Sequence, residues 1–134
     1  MAHYAKINDE NKVENVIVAE QDFIDTLEGT YIQTSYNTRA GVHYQPDTDI
    51  PSEDQSKALR KNFACVDMIY DEERDAFYTE RPFDSYVLNE DTCVWQPPLP
   101  KPDNVKKWGW NEEVYQAALR DSTDTSLAWE EITD

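Results

Sequence analysis

The side chains best equipped for chemistry in this chain are carboxylates, 28 Asp and Glu against 12 Lys and Arg. Two carboxylates across a cleft, one of them desolvated, can hydrolyse a glycosidic bond. No acid here sits in an apolar run that would raise its pKa, so that chemistry is not expected. The densest acidic stretch holds Asp71, Glu72, Glu73 and Asp75. It has oxygens for a weakly held cation but lacks the glycine and ligand spacing of a calcium loop. It reads as a solvated turn. His3 and His43 are the only histidines, and Cys65 and Cys93 stand 28 positions apart with no CxxC. Zinc needs a closed set of such ligands, which no pattern here supplies. The two thiols read as buried small hydrophobes, kept reduced. There is no nucleophile elbow, no Walker loop and no GxGxxG. The expectation is therefore no catalytic residue, no metal, no cofactor and no enzyme activity.

The remaining candidates are binding residues. Trp108 and Trp110 flank Gly109 beside Lys106, Lys107 and a proline-rich stretch. Alternation along a strand would point both rings the same way, as a platform for a ligand or neighbour. His43 and Tyr44 lie in residues 37–51, which show no period and contain Pro46, Pro51 and Gly41. A loop this long in a small domain is often functional or disordered, and in an assembly protein it is expected as an arm lying on a neighbour. Trp108, Trp110, Tyr44 and His43 are thus the expected partner-binding residues.

The elements that must position these residues read mainly as strands. Residues 3–7 and 13–19 alternate, with Ala5 and Ile7 on one strand and Val16 and Val18 on the other. Asn8 to Lys12 is turn chemistry. Phe23, Ile24 and Leu27 predict a helix over 20–28, ended by Gly29. Residues 31–36 predict a third strand. Ser52-x-x-Gln55 has the form of a capping box and predicts a short helix after Pro51. From residue 63 an aromatic, acidic-turn, aromatic pattern recurs and predicts tandem hairpins. Tyr70 is expected opposite Phe77 or Tyr78, and Tyr86 opposite Cys93 or Trp95. A third copy starts at Trp108. Its loop holds a helix over 114–120 with Asn111 as N-cap, and Leu127 to Trp129 supply the return strand. The PPLPKP run at 97–102 is expected to be extended polyproline. The fold class expected is α+β, mainly β. It has a strand–strand–helix–strand unit over 1–36, a long loop with a short helix over 37–62, and hairpins over 63–134.

A chain of 134 residues and 15.6 kDa is expected to form a single domain. Sixteen aromatic residues, 12% of the chain, are too many for a disordered protein. The net charge of −16 argues against nucleic-acid binding. It is spread along the chain, with nine acids in residues 1–50, eleven in 51–102 and eight in 103–134. Evenly spread like charge keeps a surface soluble and non-sticky. No apolar run approaches the roughly 20 residues of a membrane span, and MAHYAKIND lacks the apolar stretch of a secretory leader.

Several strings carry a resemblance across nearly the whole chain, outside about 114–125: MAHYAKIN, IVAEQDFID, YIQTSYNTRAGVHY, ALRKNFA, YDEERDAF, RPFDSYVLNEDTCVWQPPLP and WGWNEE. Together they resemble small virion-associated or structural proteins of marine tailed phages of the cyanophage myovirus type. SYVLNEDTCVWQPP is the most specific part. The chain departs from the pattern at Ala64 to Asp67, where a glycine-containing strand is expected, and in its lengthened last hairpin. The resemblance carries no catalytic residues. It implies a virion protein made in the host cytoplasm, non-enzymatic, at the capsid surface, neck or tail. Its implied partners are other virion proteins, with further copies of itself among them. Two other readings stand beside it: an acidic inhibitor of a host protein, including a DNA mimic, and a glycan- or cell-surface-binding module.

Overall fold

The first two strands form where the alternation places them. β1 (Ala2–Ile7) and β2 (Val13–Ala19) pair antiparallel, with Ala5 opposite Val16 and Tyr4 opposite Ile17. Asn8 closes the turn by accepting bonds from the Glu10 and Lys12 amides, and Asn11 takes the left-handed φ of 62°. β3 (Thr30–Thr34) returns along the free side of β1, giving the order β2-β1-β3. The structure is a computed structural model describing residues 1–133.

Both faces of this sheet are covered. On one, Ala5, Ile7 and Val13 pack with Ala64, Met68, Tyr70 and Phe77, and Val16 and Ile32 join them. On the other, Tyr4 and Ala19 pack with Ile24, backed by Ile17, Leu27 and Tyr31. Val18, expected alongside Val16, falls beyond this cover and is exposed.

The helix expected over 20–28 is a single turn, α1 (Gln21–Ile24). Glu20 makes no side-chain cap bond. At the other end the Thr26 hydroxyl donates to the Phe23 carbonyl at 2.6 Å, and the Thr26 and Leu27 amides bond three residues back rather than four. Such local competition and an uncapped start leave nothing to propagate the helix. Gly29, at φ 108°, then reverses the chain into β3, with Lys6 close enough to crowd any added Cβ.

Residues 37–51 are not an aperiodic arm. β4 (Thr38–Arg39) and β5 (Val42–His43) form a small hairpin, and Tyr44 bridges to Pro51. The short helix expected after Pro51 is absent. Gln55, needed for the capping box, instead brackets His43: its Oε1 accepts from the His43 amide at 2.9 Å and its Nε2 donates to the His43 carbonyl at 2.8 Å. Side chain thus stands in for a strand. The segment is held down by Thr38, whose buried hydroxyl donates to the Lys57 carbonyl at 3.1 Å. Asn62 accepts from the Ala40 amide and donates to the carbonyls of Phe77 and Cys93.

The tandem hairpins are present. β6 (Ile69–Asp71) and β7 (Ala76–Tyr78) pair with Tyr70 opposite Phe77, as the aromatic spacing predicts. β8 (Val87–Leu88) and β9 (Trp95–Gln96) form the second pair, with Asn89 accepting from the Asp91 and Thr92 amides in its turn. Tyr86 falls before β8. It is not opposite Cys93 or Trp95; its ring packs on Phe83 and Trp110. Cys93 is buried, whereas Cys65 is exposed, against the expectation that both thiols are buried.

The third pair is β10 (Trp108–Trp110) with β11 (Trp129–Glu131), and α2 (Glu112–Asp121) lies between them. Asn111 caps α2, accepting from the Val114 amide at 3.1 Å, and Ser122 ends it at a left-handed φ of 57°. The return strand begins at Trp129, not Leu127. Asp124 binds both the amide and hydroxyl of Ser126 and winds residues 125–128 into a 3₁₀ turn. The chain divides into two compact units, Met1–Glu80 with Leu88–Trp95, and Arg81–Val87 with the residues from Gln96 onward.

Candidate partner-binding surfaces

In the first unit the expected partner residues His43 and Tyr44 are braced, not loose. His43 is bracketed by Gln55, and its Nδ1 lies 3.1 Å from the Thr38 hydroxyl. Tyr44 carries the Arg39 guanidinium over its ring at 4.0 Å, and Arg39 pairs with Asp49. The ordering cost of this segment is met within the unit. A feature that no spacing revealed is that β1 and β5 bring the only two histidines to one cavity of about 310 Å³, which Tyr36, Asn37, Lys57 and Leu59 also line. His3 additionally stacks with Tyr36 and meets Phe63 edge-on.

The acidic turn after β6 is a pair of clamps. Asp71 accepts from the Tyr78 hydroxyl at 2.8 Å and from Arg74 Nη1 at 2.6 Å, and Arg74 also grips Glu90. Asp75 accepts from the Tyr70 hydroxyl at 2.6 Å and from Arg60 Nε at 2.9 Å. Burial alone would raise the Asp71 carboxyl, but the Tyr78 and Arg74 bonds outweigh it and hold it below the usual range. Burial, with the bond donated to Asp71, pushes Tyr78 up to about 12. Near neutrality Asp71 therefore stays ionised and Tyr78 protonated, the states that their shared bond requires. Among the described residues no group of three or more His, Cys, Asp or Glu is placed to hold a metal ion.

In the second unit, Trp108 and Trp110 share one side of β10 and are half-buried. Trp108 donates its indole N–H to Asp103 at 3.3 Å. Trp110 is the hub of an aromatic cluster, with ring centres 5.9 Å from Tyr86, 5.2 Å from Tyr115 and 5.1 Å from Trp129. Its N–H donates to Glu112 at 2.9 Å, and Glu112 also accepts from Ser85 and Gln116. Burial would raise the Glu112 carboxyl, but these donors lower it on balance. Trp129 donates to the Leu99 carbonyl at 3.0 Å and so ties the proline-rich segment to β11. The open groove of this unit is walled by Tyr86 and Trp129, not by the Trp108–Trp110 pair. Neither Tyr86 nor Trp129 is among the partner-binding residues expected from sequence; the return strand carrying Trp129 is legible, but the packing of Tyr86 on Trp110 has no local spacing to announce it.

No family model, curated protein or solved structure matches this chain.

Proposed function

We propose that this chain is a non-enzymatic structural or accessory component of a tailed-phage virion, acting through protein–protein contacts. One observation carries the reading. Among the described residues of the second unit, only Ala118 and Ala128 are buried hydrophobic residues, while Val105, Leu119, Leu127 and Ile132 are 52% to 92% exposed. Beyond the half-buried aromatic cluster around Trp110, so small a buried core leaves the unit less stable by itself than the first, and a covering partner would stabilise it by mass action. The resemblance to marine phage proteins supplies the kind of partner, and the −16 charge suits a subunit that must not self-associate before assembly. The reading of the chain as a DNA mimic is weakened because Asp71, Asp75, Glu90 and Glu112 are turned to internal donors.

The test is mass spectrometry of purified particles. The parent is expected among the virion proteins. Val105→Asp with Leu127→Asp is expected to fold but to drop out of particles, because exposed positions tolerate charge in the free chain and a docked interface does not. Absence of the parent from particles would end the virion reading and leave the acidic inhibitor first. Undiminished incorporation of the double variant would move the contact elsewhere.

A further inference from the structure

We infer that the second unit carries a saccharide-binding groove, selective for sugars bearing a carboxylate or sulfate, with Tyr86 and Trp129 as its stacking walls and Lys101 as its anion contact. The open groove offers about 720 Å³ and is lined by these three residues with Gln96, Pro97, Pro100 and Asn104. That volume lies in the range of small-ligand sites, roughly 300–1,000 Å³.

Three features favour a sugar. The first is rigidity. Trp110 meets both walls steeply, at 70° to Tyr86 and 71° to Trp129, so the two rings are already fixed by packing. A sugar's C–H face can stack on such rings with little ordering cost to the protein. The second is polarity. The exposed Asn104 amide offers both donors and an acceptor, the pairing that sugar hydroxyls require. The third is charge. In a chain with 28 acids, no carboxylate among the described residues lines this groove, and Lys101 is the one ionised side chain among those that do. An anionic substituent therefore meets a cation without a facing acid.

A proline-rich peptide is the competing occupant of any groove lined by aromatic residues. It fits worse here. The Trp129 indole N–H that would donate to a peptide carbonyl already donates to the Leu99 carbonyl at 3.0 Å, so the chain's own PPLPKP segment holds that bond. Stacking by a sugar uses the ring faces and leaves the bond intact.

The full-length chain would be applied to an array of neutral, uronic-acid and sulfated oligosaccharides, with retained sugars titrated by tryptophan fluorescence. Acidic sugars should be retained over their neutral counterparts, and the stronger arm identifies the anionic group as carboxylate or sulfate. Lys101→Glu should weaken the retained sugar about tenfold, the scale of one charge-assisted bond, with an unchanged melting curve. Tyr86→Ala should abolish binding. If that variant fails to fold, Asn104→Ala and Lys101→Glu decide, since both positions are exposed. Retention of no sugar overturns the proposal. So does binding that is indifferent to Lys101→Glu and Asn104→Ala, or displacement of the sugar by a PPLPKP peptide. The measurement uses the free chain, so its outcome is independent of incorporation into particles.

Discussion

Asp71 and Tyr78 stabilise the same hairpin from opposite ends of the pH scale. The lowered Asp71 carboxyl contributes stability above its unfolded value near pH 3.9, and that contribution is lost as pH falls through its folded value. The raised Tyr78 phenol contributes below its unfolded value near pH 10, and that contribution is lost as pH rises through about 12. Stability of the first unit is therefore expected to hold between these limits and to decline on both flanks. Asp71→Asn should flatten part of the acid decline. It should also lower the alkaline phenolate midpoint of Tyr78, because the nearby negative charge that opposes ionisation is gone. Thermal melts and ultraviolet titration would check both. An unchanged Tyr78 midpoint in the variant would show that burial alone sets it.

Elements in this protein form where a side chain satisfies their ends, and fail where it is drawn elsewhere. Asn111 and Ser52 illustrate the contrast. Asn111 caps α2 with a bond to Val114, and Glu112 and Glu113 in the first turn suit the helix dipole. Ser52 heads an equally plausible box, but Gln55 is captured by His43 from a strand twelve residues earlier. Asn111→Ala is expected to cost about 1 kcal/mol and Asn111→Asp very little, since aspartate caps comparably. Urea denaturation followed by helical circular dichroism would show it. An equal loss in both variants would mean that the Asn111 side chain matters through its bond to Glu130 rather than through the cap.

Across the whole molecule burial is unequal between the two units. The first holds Ala5, Val13, Ala64, Ala76 and Phe77 at 1% exposure or less, whereas among the described hydrophobic residues of the second only Ala128 is so deeply buried. Local opening free energy follows such burial. Amide exchange should therefore be slowest in β1, β2 and β7 and faster throughout α2 and β10. Equal protection of α2 and β1 would contradict this account, and it would remove the observation on which the partner-covered reading of the second unit rests. The acidic surface acts at this scale too, by keeping exposed apolar residues such as Leu127 from joining copies at random.

What local spacing controls is legible in the order of residues alone. The first hairpin, the Tyr70–Phe77 pair, the Asn111-capped helix inside the last hairpin and the mainly β class all follow from contacts within about twenty residues, where alternation and turn chemistry act directly. Tertiary structure decided the rest. The segment at 37–51 gained strands because Gln55, the Lys57 carbonyl and Asn62, all outside it, bond to His43, Thr38 and Ala40 in ways that no periodicity marks. Tyr86 left its expected partner for Trp110, and the two histidines met at one cavity, because β10 and β1 place side chains against residues with no fixed spacing to them. Periodicity records which face a residue occupies, but not which distant residue covers that face; packing of the completed sheets settles the second question.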